Sequence, residues 1–384
     1  MDLICFSHLR WDFVFQRPQH LLTKFSISYR IFYIEEPLFD AQNDHISIVK
    51  YNDKIHIVKL HLQGSSQEPE VFGRQQRLLS SLFRKMGIIK YIFWYYTPMA
   101  LPISEDMSPD LIIYDCMDEL SNFRYAPPEL KELESQLISR AHLVFTGGKS
   151  LYNKKKNLHD NVYCFPSSID KNHFGKSQYF IKDPPDQERI SRPRLGYFGV
   201  LDERIDTELI LEMANKKSEW QFIFIGPVTK ISPDSLPKRA NIHYLGCKDY
   251  KALPDYLAGW DIALMPFAIN ASTEYISPTK TPEYLAGFKP VISTPINDVI
   301  HPYGKLNLVN IASTAEEFIA SAEKILKNTE NDQWKKNVNK CLAKTSWEIT
   351  FQQMHQLIKR KLTYDNFLQP INEYGGKKYE YNPT

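Results

Sequence analysis

Lys280 stands where a short helix should begin. The segment 274–294 reads EYISPTKTPEYLAGFKPVIST. Two pairs in it, Ser277–Pro278 and Thr281–Pro282, fit a cap residue followed by proline at the first helical position, and Gly287 and Pro290 fit the stop. The opening amides of a helix lack intrahelical partners and carry the positive end of its dipole, so a lysine beside them is unfavourable unless an anion sits there. A bound diphosphate would remove that conflict. The alternative is a solvated lysine on an ordinary helix start.

Something must hold that helix behind a buried strand, and the rest of the chain reads as such a frame. Its 384 residues are 43% hydrophobic, enough for two domains with separate cores. Lys+Arg 47 against Asp+Glu 45 leaves a formal charge of +2, so no overall field favours nucleic acid. The start MDLICFSHLRW lacks a basic lead, and nowhere do about 18 apolar residues follow one another. The expectation is a soluble, cytoplasmic protein. Cys5, Cys116, Cys164, Cys247 and Cys341 are scattered, odd in number and without a C-x-x-C pair, which argues against a disulfide framework or structural zinc and for buried free thiols.

Short apolar runs at 3–6, 30–34, 91–95, 111–114, 143–145 and 162–165 read as strands, with helical patterns at 19–26, 74–86, 128–139 and 149–156 between them. This alternation predicts a parallel sheet with crossover helices. The runs 45–49 and 55–60 read as an added pair of strands. A second α/β unit begins at Arg194, with strands at 195–198, 220–225, 242–245, 262–266, 291–294 and 308–311 and helices at 206–214, 250–258 and 314–326. The domains are therefore 1–170, a polar, proline-marked linker 171–193, a second domain 194–346, and a last segment 347–384. In that segment Trp347, Phe351, Met354, Leu357 and Ile358 form an amphipathic helix able to pack back on the first domain, ahead of a loose tail with Gly375, Gly376 and Pro383. The fold class is α/β, with two doubly wound domains facing a cleft. Ligands of open parallel sheets sit beyond the carboxyl ends of the strands, so the cleft walls should carry the chemistry.

SPTKTPEYLAGFKPVIST, together with QRPQHLL (16–22), YDCMDE (114–119), FPSSIDKNHF (165–174), YFGVLDERID (197–206), FIFIGP (222–227) and NIHYLG (241–246), resembles glycosyltransferases of the GT-B fold that use nucleotide-sugar donors. The likeness spans most of the chain and is strongest to bacterial enzymes of surface-polysaccharide synthesis, including the teichuronic-acid type. It implies that Lys280 and the backbone around Ser277, Pro278 and Thr279 hold the donor diphosphate, that Glu283 binds the ribose hydroxyls, and that Arg204 supplies a basic group beyond the first strand of the second domain. In the larger retaining group a second glutamate stands nearer the donor sugar, slightly closer in sequence than Glu274 is to Glu283, which have eight residues between them. The role of Glu274 stays open. Arg204 could also form a surface ion pair with Asp202 or Asp206.

Breaking a sugar–phosphate bond leaves negative charge on the nucleoside diphosphate, and fixed cations with helix amides can stabilise it. No Asp-x-Asp pair flanked by an apolar strand stands out as a metal clamp. The expectation is metal-independent transfer of a hexose-type sugar with no cofactor beyond the nucleotide-sugar co-substrate. On the acceptor side an inverting enzyme needs a base. Asp118, following the strand 111–114, is the first choice, with an Asx-type cap as its alternative; His8, at the end of the first strand, is the second. Arg10, Gln16 and Arg17, near the helix start at Pro18, could bind an anionic or lipid-diphosphate acceptor. Lys149 with Lys154, Lys155 and Lys156, and Arg84, Lys85 and Lys90 beside 91–96, suggest either peripheral contact with the inner face of an anionic membrane or solvated helix faces. Alternatives to glycosyl transfer are a sugar-nucleotide epimerase or phosphorylase on the same architecture, or a non-catalytic nucleotide-sugar-binding module.

Overall fold

The computed structural model describes residues 1–179, 182–328 and 331–368. The first sheet is built from β1 (Asp2–Ser7), β2 (Arg30–Glu35), β3 (His45–Lys50), β4 (Ile55–His61), β5 (Tyr91–Tyr95), β6 (Leu111–Cys116), β7 (Leu143–Thr146) and β8 (Val162–Cys164). Its strands lie in the order β3-β4-β2-β1-β5-β6-β7-β8. All pairs are parallel except β3 with β4. Strands covered on both faces read as unbroken apolar runs: Leu3, Ile4, Cys5 and Phe6 of β1 are all buried, whereas edge strand β3 is half to fully exposed. The expected extra pair of strands is thus an antiparallel edge on an otherwise parallel sheet.

The second sheet holds β9 (Arg194–Phe198), β10 (Gln221–Ile225), β11 (Ile242–Tyr244), β12 (Ile262–Met265), β13 (Val291–Ser293) and β14 (Asn310–Ile311), all parallel, in the order β11-β10-β9-β12-β13-β14. In both sheets the strand order reverses beside the first strand of the unit, which is the switch point where a doubly wound sheet opens a crevice.

The stretch 171–193 differs from a plain linker. It carries helical turns at Lys171–Phe174, Gly175–Gln178 and Pro185–Glu188, and Phe174 and Ile190 enter the second core. Buried Gln187 donates to the Tyr256 carbonyl and accepts from Trp260 Nε1 at 2.8 Å. Trp260 can lie against the sheet because position 196 is glycine: a β-carbon there would come within 2.1 Å of the indole. These partners are distant in sequence, so a local reading sees only prolines and charge.

The last helix, Trp347–Leu368, returns to the first domain. Trp347, Phe351, Met354 and Ile358 share a core with Leu21, Leu22 and Phe25 of the helix Arg17–Phe25, and Trp347 stacks on His20 with centroids 4.6 Å apart. The expected tail around Gly375, Gly376 and Pro383 lies outside the described residues.

Contacts across the divide hold the halves together. Ser167 Oγ donates to the Ser277 carbonyl at 2.6 Å, and Asn122 Nδ2 to the Ala271 carbonyl at 2.9 Å. Asp298 accepts from the backbone amides of Lys149 and Ser150 at 2.7 and 2.9 Å, capping the helix Lys149–Lys155 from the other domain.

Candidate functional site

The strand ends at the switch point of the second domain shape one wall of the site. Gly199 follows β9 at φ +142° and Gly226 follows β10 at φ +141°, a region that L side chains rarely adopt. A β-carbon on Gly226 would lie 2.0 Å from the Gly199 carbonyl oxygen, and one on Gly199 would lie 2.1 Å from Lys280 Cε. The two backbones nest, and the lysine stem lies on them. Only glycine permits this approach at either position.

The helix that carries Lys280 runs Lys280–Ala286, and no side chain caps its start. Thr281 N–H donates to the Pro278 carbonyl and Glu283 N–H to the Thr279 carbonyl, both at 3.3 Å. The chain therefore turns into the helix from Pro278. Neither expected cap–proline pair sits at the helix start: Thr279 precedes its first residue, Lys280, while Pro278 lies in the turn before it and Pro282 inside the first turn, where its missing N–H costs no hydrogen bond. Lys280 Nζ stands 5.3 Å from the centre of the Tyr197 ring and makes no ion pair among the described residues. Burial and nearby Arg204 pull the Lys280 ammonium below its ordinary range, and burial pushes the Glu283 carboxyl up. Glu283, Asp202 and Asp118 offset this in part through space, without an ion pair, so the ammonium stays buried beside a second cation, Arg204.

A cavity of about 580 Å³ opens between the two domains. From the second domain Ser277, Pro278, Thr279, Lys280, Glu283 and Arg204 line it; from the first, Gln16, Arg17 and Asp118. Nine of the residues singled out in the sequence thus share one space. Burial raises the Asp118 carboxyl to about 6, with Arg204 opposing and Asp202 adding to the rise. A carboxyl at that level can exchange a proton near neutral pH. Arg204 combines both of its expected readings: it faces the cavity, and it grips Asp202 through Nε–Oδ1 at 2.9 Å and Nη2–Oδ2 at 2.6 Å. That pair is half-buried rather than on the surface, and it aims the guanidinium, which also lies 5.3 Å from the Phe123 ring of the first domain.

Other expected site residues are placed elsewhere. His8 does not line the cavity; burial lowers its imidazole to about 4, and its Nδ1 is enclosed without a partner. A base that weak is poorly matched to neutral pH. Glu274 is exposed outside the cavity, directly after the turn Ala271–Thr273; the chain re-enters the cavity lining at Ile276. Arg10 turns away to Glu35, at 3.1 Å, and to the Glu36 and Pro37 carbonyls. Arg17 borders the cavity but its guanidinium is spent: it binds Asp115 Oδ1 at 2.8 Å through Nη2 and the Phe165 carbonyl at 2.8 Å through Nη1, with both charged side chains buried. Neither arginine is available as the expected anion clamp for an acceptor.

The basic runs divide: Arg84, Lys85, Lys90 and Lys156 are exposed, whereas Lys154 and Lys155 are paired. Lys155 is buried between Glu134 and Glu119, at 2.7 and 2.9 Å, and Lys154 pairs with Glu119 and covers the Tyr275 ring. Residues 91–95 are wholly buried in β5. No described helix is long and apolar enough to cross a membrane. Among the described residues no group of three or more His, Cys, Asp or Glu is arranged to hold a metal ion. Of the expected buried thiols only Cys5 and Cys116 are buried; Cys164 and Cys341 are half-buried, and Cys247 is exposed and borders the cavity.

Sequence reasoning missed several cavity residues. Gly226 was visible only as part of FIFIGP, and Tyr250 as the start of a helix. Tyr250 stacks on Phe15 of the first domain at 4.5 Å and on His173 at 4.4 Å, tying both walls to the stretch 171–193. The loop Trp11–Phe15 and Tyr51 complete the first-domain wall. Aromatic content alone gave no signal, because most rings in this chain are core.

No family model matches the chain. Over 288 residues, 68% of this chain and 70% of the relative, it is 26% identical to a candidate teichuronic acid biosynthesis glycosyltransferase, TuaH, of Bacillus subtilis (strain 168). Among solved structures, sucrose-phosphate synthase from Thermosynechococcus elongatus superposes with a TM-score of 0.69 at 12% identity, covering 95% of this chain and 100% of that one. Anabaena HepE in complex with UDP superposes with a TM-score of 0.62 at 13% identity, covering 94% and 100%. The likeness expected from the motifs is borne out in sequence and in architecture, and the chain has the GT-B fold.

Proposed function

We propose that the chain is a glycosyltransferase that moves a sugar from a nucleoside diphosphate to a glycan or lipid-linked acceptor in bacterial polysaccharide synthesis. The observation that carries this reading is the single cavity in which Lys280, Arg204 and Glu283 of one domain face Asp118 of the other. Lys280, the backbone from Ser277 to Thr279 and Arg204 would hold the diphosphate and stabilise the charge that grows as the sugar leaves. Glu283, next to them on the same short helix, would take the ribose hydroxyls. Asp118 would accept the proton of the attacking hydroxyl, which makes it a base of suitable strength once ionised above about pH 6. With two cations already in place, the leaving group needs no metal in this scheme, and the sugar moved is a hexose. The name of the B. subtilis relative supports a cell-envelope glycan as the product, and the UDP held by the Anabaena protein makes UDP the first nucleotide to try.

The test is a thermal-shift series with UDP, GDP, TDP and CMP, followed by their sugars. A selective rise with one nucleotide that disappears in Lys280→Ala is the expected outcome. Equal indifference to all of them would remove the donor assignment. For metal independence, turnover that vanished with chelator and returned only with manganese or magnesium would overturn that part alone.

A further inference from the structure

We infer that the loop at Trp11–Phe15, with Tyr51 from the hairpin between β3 and β4, is a stacking platform for the pyranose ring of an uncharged carbohydrate acceptor. This rests on the glycosyltransferase reading and names the acceptor that the site would take.

Phe13, Phe15 and Tyr51 border the cavity yet remain 42%, 39% and 50% exposed. Apolar rings left in water work against folding, so their position needs a reason. Looseness is not that reason, because buried polar groups pin the loop. Glu35, itself 2% exposed, accepts from the Trp11 backbone N–H at 2.8 Å. Gln19, also 2% exposed, donates to the Trp11 carbonyl at 2.7 Å and the Val14 carbonyl at 3.0 Å. Trp11 then packs edge-on against both Tyr33 and Tyr51, with centroids 5.0 and 5.1 Å away, which fixes the hairpin tip beside the loop. Two buried side chains are committed to presenting rings to the cavity rather than to hiding them.

Charge narrows the ligand. On this wall the guanidinium of Arg17 is consumed by Asp115, Arg10 lies off the cavity, and the carboxylates facing the space are Asp12 and Asp118. An anionic headgroup lying on these rings would meet the two carboxylates first, the cavity cations Arg204, Lys248 and Lys280 belonging to the opposite wall. A purely apolar chain would leave Asp12, Gln16 and Asp118 desolvated without partners. A neutral pyranose satisfies both demands: its C–H face lies on a ring, and its hydroxyls reach the carboxylates and the amide.

Saturation-transfer NMR tests this with methyl pyranosides of glucose, galactose and mannose and with the matching uronates, each with and without UDP. Wild-type protein should saturate the ring C–H protons of at least one neutral pyranoside more strongly than its uronate. Phe13→Ala should weaken that binding about five- to ten-fold, Phe13→Leu should weaken it similarly, and Phe13→Tyr should restore it. UDP binding should be unchanged in all three variants, which reports that they fold. Retention of pyranoside binding in Phe13→Ala and in Tyr51→Ala, preference for the uronate, or absence of pyranoside binding at millimolar concentration would each overturn the platform. UDP binding without pyranoside binding leaves the donor reading standing and removes the platform; pyranoside binding that depends on Phe13 without any nucleotide binding does the reverse.

Discussion

The two walls of the cleft are built on opposite plans. The second-domain wall is polar and compressed: two nested glycines, a short uncapped helix and a lysine kept from ion pairing, all within one strand-end crevice. The first-domain wall has its cavity-lining arginine, Arg17, neutralised by Asp115, and it shows aromatic rings to the cavity beside the carboxylates Asp12 and Asp118. On the proposed reading, one side receives charge and the other shape. The contrast suits a reaction in which the departing group becomes more anionic while the incoming group begins neutral.

The largest expected effect is at Asp118. If it is the base, Asp118→Asn should lower kcat by roughly 100- to 10,000-fold. In the wild type, activity should rise with pH through about 6, because the carboxyl works only when ionised and burial has raised it to that level. That acid limb should be missing from the residual activity of the variant; a limb that persists would move the base elsewhere. Next, Lys280→Ala should reduce kcat/KM by roughly 100- to 1,000-fold, with nucleotide affinity falling alongside it. Steady-state kinetics with titrated donor separates the two contributions.

Arg17→Met asks whether the first-domain wall is as self-contained as its ion pairs indicate. Leaving Asp115 buried and unpaired should cost about 3–5 kcal/mol in urea unfolding, while acceptor KM of the folded protein stays near the wild-type value. A large KM change without loss of stability would return Arg17 to the acceptor. The smallest effect is a protection. Alkylation of Cys247, exposed at the cavity edge, should slow about ten-fold at nine-tenths occupancy by the bound nucleoside diphosphate. Unchanged labelling would place the nucleotide away from that loop.

The same contrast governs how much could be read from residues in order. The second-domain wall was legible because its parts are contiguous: the spacing of Lys280 and Glu283, the prolines around them and the glycine after them lie in one short segment, and local backbone rules apply to it. The sheets were legible for a related reason, since buried parallel strands read as unbroken apolar runs. Arg10 and Arg17 misled because a charge on a loop or at a helix start looks free until its partner is known, and their partners Glu35 and Asp115 lie far along the chain. The aromatic wall was hidden likewise. Nothing near Phe13 in sequence distinguishes a ring facing water from one in the core, and the residue that pins its loop, Glu35, comes from the next strand. The stretch 171–193 looked unstructured for want of periodicity, yet its order comes from Trp260 and Tyr256.

Asp298 reaches out of one half of the molecule and sits on the first amides of a helix in the other, a seat vacated of side chain by Gly148, where a β-carbon would fall 2.2 Å from its carboxylate. It works as a hasp. Parting the jaws to admit or discharge cargo must first strip two amides of their acceptor, so the ease of that single detachment bears on how often the machine can cycle. A methyl group at position 148 would be a wedge driven under the hasp, and it would press on Ser277 of the other half as well, 2.8 Å away.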